Sequence, residues 1–253
     1  MNEHVRTSQD GAVALIRLSR PEKKNALTRA MYHALAQAIA AAEADPAIHV
    51  ILLAGGADFT AGNDIADFAA PREDGPGAAF DFLEAMVSVA KPVVAAVRGN
   101  AVGIGTTLLL HCDAVVASET ARLMMPFTRL ALVPEAGSSL LLPARVGPAL
   151  ASWWLLSATP FSGAEAQRAG LATRAVPDAE VEAVALEMAR QLAVLPPGAV
   201  QESKRLIRAP HRAALVAAMA AEREAFSARL RTPEAQAAFA SFLGRKTAPT
   251  SAG

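Results

Sequence analysis

Two glycine-bearing turns and one carboxylate hold the residues best suited to chemistry. The first turn is Phe59-Thr60-Ala61-Gly62-Asn63-Asp64, and the second is Arg98-Gly99-Asn100-Ala101-Val102-Gly103-Ile104-Gly105. The acid is Glu135, within Leu132-Val133-Pro134-Glu135-Ala136-Gly137-Ser138-Ser139. A backbone N–H reaches an oxyanion only where the chain turns sharply and approaches closely, and glycine permits both because it lacks a Cβ. Gly62 would free the N–H of Asn63 for that role, and Gly103 that of Ile104. A helix starting near Gly105 would add partial positive charge. Two such donors stabilise an enolate, and loss of one typically costs about 10²–10³ in rate. Taken singly, each turn reads first as a tight strand-to-helix connection. The pair, each behind a buried strand with a carboxylate opposite, points to enolate chemistry. The competing reading of Glu135 is an acid at a helix N-terminus, favoured by the helix dipole just before Ala136-Gly137-Ser138.

The elements around these residues alternate. Val13 to Leu18 reads as a strand, and Arg20 to Asn25 as a charged loop. Thr28 caps a helix whose apolar stripe is Met31, Leu35 and Ile39, and Asp45-Pro46 ends it. Val50 to Ala54 and Pro92 to Val97 are short continuous apolar runs, as expected of buried strands, the second with proline at its first position. Between them lie a Pro-, Gly- and charge-rich loop from Pro71 to Gly77 and a helix through Phe80, Leu83 and Val87. Gly105 to His111 reads as a helix and Asp113 to Ala117 as a strand. This rhythm indicates an α/β fold, without internal sequence repeat. Beyond about residue 138 the chain reads as mostly helical. Asp178 caps a helix with Val181, Val184, Ala185, Met188 and Leu192 on one stripe. Pro196-Pro197-Gly198 stops it, dividing the chain into a core over 1–195 and a helical region over 196–253 with helices at Arg212 to Arg229 and Pro233 to Leu243.

Composition narrows the function classes. The chain has 253 residues, 53% of them hydrophobic, enough for one large buried core. Lys and Arg balance Asp and Glu at 24 each, so the chain has no basic footprint for nucleic acid. The one cysteine, Cys112, forms no internal disulfide and fits a reducing, cytoplasmic setting. The N-terminus has no apolar signal region. The most apolar stretch, Ala101 to Ala117, is interrupted by Thr106, Thr107, His111 and Asp113 and is a poor membrane span. His111 and Cys112 read as core residues, since no second metal ligand sits at useful spacing. Trp153 and Trp154 are assigned to the core or an interface. Phe80, Leu83 and Met86 read as core, with an acyl tunnel as the alternative.

Arg20-Pro21-Glu22-Lys23-Lys24-Asn25-Ala26-Leu27, the turn at Asn63, the Gly103-Ile104-Gly105 turn with Cys112-Asp113, and Pro134 to Ser139 together resemble the enoyl-CoA hydratase/isomerase (crotonase) superfamily. The motifs run in order from about residue 10 to about residue 246. The resemblance implies an α/β crotonase fold, a spiral of ββα units with a helical C-terminal part that serves oligomerisation. It implies an acyl-CoA thioester as substrate, with coenzyme A part of that substrate and no separate cofactor, and a homotrimer or a hexamer of two trimers. The family's two oxyanion donors map onto the N–H groups of Asn63 and Ile104. Lys24 matches the loop that meets the CoA adenine, and Phe242 to Lys246 the C-terminal segment that meets CoA phosphate. Ala26, Ala61, Gly62, Asp64, Ile65, Gly103, Phe127, Phe242 and Lys246 complete the implied substrate contacts, although Asp64 also reads as the cap of the short helix after the first turn.

One departure from the family pattern sets the expected reaction. The two glutamates with which family hydratases activate water map onto Thr107 and Phe127. Neither can act as a carboxylate pair. Glu135 remains, and its segment resembles the peroxisomal-type Δ3,Δ2-enoyl-CoA isomerases, in which a glutamate at this place is the base. An isomerase that moves a double bond from position 3 to position 2 of an enoyl-CoA is therefore expected. One carboxylate suffices for such a shift, and desolvation in an apolar pocket would raise its pKa toward working range. The alternatives are a hydratase or other crotonase reaction, and a non-catalytic acyl-CoA-binding protein.

Overall fold

The structure, a computed structural model, describes residues 2–69 and 77–247. The expected loop from Pro71 to Gly77 falls outside these residues except for Gly77. A hairpin opens the chain, β1 (Val5–Asp10) against β2 (Val13–Leu18). Then come α1 (Arg29–Ala44), β3 (Val50–Ala54), α2 (Ile65–Ala69), α3 (Gly77–Ser88), β4 (Val93–Val97), β5 (Asn100–Val102) and α4 (Ile104–Thr107). The middle of the chain holds β6 (Ala114–Ser118), β7 (Arg122–Met124), α5 (Ser138–Val146), α6 (Pro148–Ser157), β8 (Phe161–Ser162), α7 (Gly163–Arg168) and β9 (Arg174–Val176). Four helices follow: α8 (Val181–Ala193), α9 (Pro197–Arg208), α10 (Arg212–Leu230) and α11 (Pro233–Thr247).

The main sheet has six strands in the order β1-β2-β3-β4-β6-β9, antiparallel only at β1–β2. Its central strands are short apolar runs because both faces are covered. Successive side chains alternate between two cores. Ile51, Leu53, Val93, Ala95, Val115 and Ala117 face the large core with α1 and α3. Val50, Leu52, Val94, Ala96, Ala114 and Val116 face a smaller one closed by Val181, Ala185, Ala189 and Ala193 of α8. Alanines on that helix let it lie close to the sheet. A second sheet, β5-β7-β8, stands beside the first. Phe226, Ala235 and Phe239 carry α10 and α11 into the large core.

Thr28 caps α1 as read from sequence, its hydroxyl accepting from the Met31 N–H at 3.3 Å. Three sequence expectations are corrected. Asp178 does not cap α8: it opens a short 3₁₀ turn, and its carboxylate accepts from the Arg98 guanidinium. The helix expected from Gly105 to His111 starts at Ile104 and passes into a 3₁₀ turn at Leu108. The strand expected from Pro92 starts one residue later, at Val93. Trp154 is buried and stacks on Phe161 with ring centroids 3.6 Å apart, whereas Trp153 is 60% exposed on this chain.

Candidate active site

The two glycine turns meet because strand pairing brings them together. The Thr60 N–H donates to the Asn100 carbonyl at 2.8 Å, and the Val102 N–H donates back to the Thr60 carbonyl at 3.0 Å. Between them Gly62 passes so close that a Cβ there would stand 2.6 Å from the Val102 carbonyl oxygen, and its φ of +85° is left-handed. Only glycine meets both demands. On the other flank the chain from Lys24 to Leu27 runs along the first turn: Ala61 donates to the Lys24 carbonyl, Leu27 to that of Gly62, and Asp64 to that of Leu27. Asn25, buried, ties these segments together through Gly55 and Asp58.

Asn63 and Ile104, one residue beyond Gly62 and Gly103, line the same cavity as Glu135. Among the described residues neither N–H makes a hydrogen bond, so both remain free to donate to a bound oxygen. Ile104 is the first residue of α4, which points its N-terminal partial charge the same way. The cavity, about 620 Å³, is walled largely by apolar side chains of α3 and α10, among them Phe80, Leu83, Val216, Met219 and Phe226. Leu83 and Phe80 thus join the lining, while Met86 is sealed in the core.

Glu135 stands on a turn between Pro134 and α5. Its carboxylate accepts from the Thr107 hydroxyl. Desolvation raises its pKa from 4.5 to about 7, the Thr107 hydroxyl pulling it down and the charge of Glu222 pushing it up. The carboxyl is therefore poised near neutrality, where a group that must both take and return a proton is most effective. Thr107, the position of a family hydratase's first glutamate, is fully buried against it. Phe127, the position of the second, lies in the large core and not among the residues lining this cavity.

Other sequence-derived positions are distributed around this centre. Ala26, Ala61, Gly62, Asp64 and Gly103 belong to the two turns and their flanking segment but do not line the cavity, and Ile65 packs on the large core. Lys24 is exposed with a φ of +50°. Asp64 caps α2 through the Ala66 N–H and pairs with Arg20 at 2.7 Å. Phe242 and Lys246 are on α11, with side chains outside the described set. His111 and Cys112 are core residues as expected: burial pushes the imidazole down to about 4 and the thiol up to about 12.

Sequence reading missed two residues. Tyr32 on α1 lines the cavity and donates its hydroxyl to Asn63 Oδ1 at 2.5 Å. Burial first, then the charges of Glu135 and Asp67, keeps its phenol well above the usual range, so it stays protonated. Glu222 on α10 is buried, and its one sequence signal is its spacing of four from buried Phe226.

The sequence profile of enoyl-CoA hydratase/isomerase matches residues 8–250. The chain belongs to the enoyl-CoA hydratase/isomerase family. It has the crotonase fold: the solved structure of Pseudomonas aeruginosa OdaA superposes with a TM-score of 0.91 at 46% identity, covering 96% of this chain and 99% of that one. Human enoyl-CoA delta isomerase 2 is 35% identical over 95% of this chain, which spans 63% of that protein's length. Escherichia coli K12 2,3-dehydroadipyl-CoA hydratase is also 35% identical, over 95% of both chains. Members of the family act on acyl-CoA thioesters, and these relatives are named for both isomerisation and hydration.

Proposed function

We propose that the protein shifts a double bond from position 3 to position 2 of an enoyl-CoA. The observation that carries this reading is that Glu135, poised at about 7, shares a largely apolar-walled cavity with two backbone N–H groups that make no hydrogen bond among the described residues. The thioester oxygen accepts from the N–H groups of Asn63 and Ile104, which acidifies the C2 protons. Ionised Glu135 takes one of them. The electron pair moves into a dienolate spread from the thioester oxygen to C4. Protonated Glu135 then returns the proton at C4, leaving a double bond between C2 and C3. No water is consumed and no further cofactor is called for, coenzyme A being part of the substrate. Hydration would need a second group to hold and activate water, and the two positions that supply it in family hydratases are Thr107 and Phe127.

The test is to offer the purified protein a trans-3-enoyl-CoA and, separately, a trans-2-enoyl-CoA. Formation of the 2-enoyl product from the first, with none of the 3-hydroxyacyl product from the second, is expected. Hydration of the second substrate would overturn the isomerase reading. Binding of both without any product would favour a non-catalytic acyl-CoA-binding role.

A further inference from the structure

The turn that presents Glu135 is backbone-strained and is held from three sides. Ala136 and Gly137 are both left-handed, with φ of +59° and +71°. For alanine that conformation is unfavourable, its Cβ crowding the following carbonyl. Such strain persists only where neighbours over-determine it. From the core side, buried His111, neutral because burial lowers its pKa, donates through Nε2 to the Ala136 carbonyl at 2.7 Å. From within, the Ser138 hydroxyl donates to the Glu135 carbonyl at 2.6 Å. From α10, the Glu222 carboxylate accepts from the Gly137 N–H at 2.6 Å and the Ser139 N–H at 2.8 Å, one oxygen each. Glu222 can reach because α10 lies against the turn: a Cβ on Gly137 would stand 2.3 Å from Leu215 Cδ1.

Glu222 is itself in the lining of the Glu135 cavity and only 7% exposed. Both its oxygens are committed to backbone donors, so it is badly placed to carry a proton or hold a nucleophilic water. We infer that Glu222 is a positioning residue for Glu135: it fixes from α10 the turn that carries the base, and it keeps a second negative charge in the base's own cavity. The inference rests on the reading of Glu135 as the proton carrier.

Several other groups face that cavity. Tyr32 comes from α1, Glu84 from α3, and Arg212, Arg223 and Glu224 from α10, with Thr107 of α4 on the carboxylate itself and His111 beneath the turn. Burial shifts Glu135 most; of these side chains, Thr107 lowers its pKa and Glu222 raises it. Removing the Glu222 charge therefore lowers the Glu135 midpoint, and any loosening of the turn that admits water lowers it further. A purely structural cap on α5 would instead change thermal stability and leave the midpoint in place.

The experiment follows the Glu135 carboxyl by NMR in protein carrying ¹³C-labelled glutamate, the resonance being assigned by its absence in Glu135→Gln. Wild type is expected to titrate at about 7. In Glu222→Gln the midpoint falls below that of wild type. Glu222→Asp keeps the charge but shortens the reach. Its midpoint stays above that of Glu222→Gln, while kcat on a 3-enoyl-CoA drops about tenfold or more with little change in KM, because the base is displaced. An unchanged midpoint in Glu222→Gln overturns the inference. So does wild-type kcat in Glu222→Asp, which decides the matter if Glu222→Gln does not fold. Absence of isomerisation in every protein would count against the proposed reaction alone, since the NMR midpoint still reads the coupling.

Discussion

The base role proposed for Glu135 and its place in the folded protein make opposite demands on it. Its pKa is raised from 4.5 to about 7, so the fold binds its proton more tightly than the unfolded chain does. The stabilising contribution of that proton is present in full below 4.5 and is lost as pH rises through about 7. Glu135→Gln is accordingly expected to melt at a higher temperature than wild type above pH ~8 and to show no such gain near pH ~4; thermal melts across pH check this. Tyr32→Phe removes the hydroxyl that pins Asn63 Oδ1, with an expected loss of about 1 kcal/mol of stability and a fall in kcat that exceeds any change in KM. Denaturant melts and steady-state kinetics separate the two effects. At this scale the sequence was legible where chemistry has a local signature. Glycine turns marked Asn63 and Ile104, and an acid after proline marked Glu135. Tyr32 had no such mark, because it adjoins an apolar helical stripe and looks like any core aromatic. Glu222 lies far along the chain from the turn it holds, and beyond its spacing of four from Phe226 nothing in the sequence separates it from the exposed Arg223 and Glu224 beside it.

The elements were read well where both faces are covered, or where a cap stands at the boundary. β3, β4 and β6 are continuous apolar runs because each is sandwiched between two cores. Thr28→Ala should cost about 1 kcal/mol in a melt and leave kinetics unchanged, since the cap serves α1 alone. Gly62→Ala is expected to behave differently. A Cβ 2.6 Å from the Val102 carbonyl forces the two turns apart, so kcat should fall by about 10²–10³, the size of losing one oxyanion donor. β1 was missed because it is an edge strand, Val5-Arg6-Thr7-Ser8-Gln9-Asp10, with only Val5 buried. The strands of the small sheet are two or three residues long and too short to show alternation.

For the whole molecule, composition and rhythm indicated the α/β class, and the motifs in register indicated the family. Neither could show that α10 folds back to wall the cavity, since that placement depends on packing such as Gly137 against Leu215. α8 closes the second core with alanines, so Ala189→Leu is expected to destabilise by about 1–3 kcal/mol through overpacking while leaving kcat near wild type. The central claim, that one carboxylate moves the proton, is tested most directly by the rate of 3-enoyl-CoA isomerisation in wild type and Glu135→Gln as a function of pH. Wild-type kcat/KM is expected to rise with pH to a plateau, with a midpoint at about 7, and the Glu135→Gln rate to be about 10²–10⁴ lower and flat over the same range. A Glu135→Gln enzyme that keeps most of the rate and the same pH profile would contradict the claim.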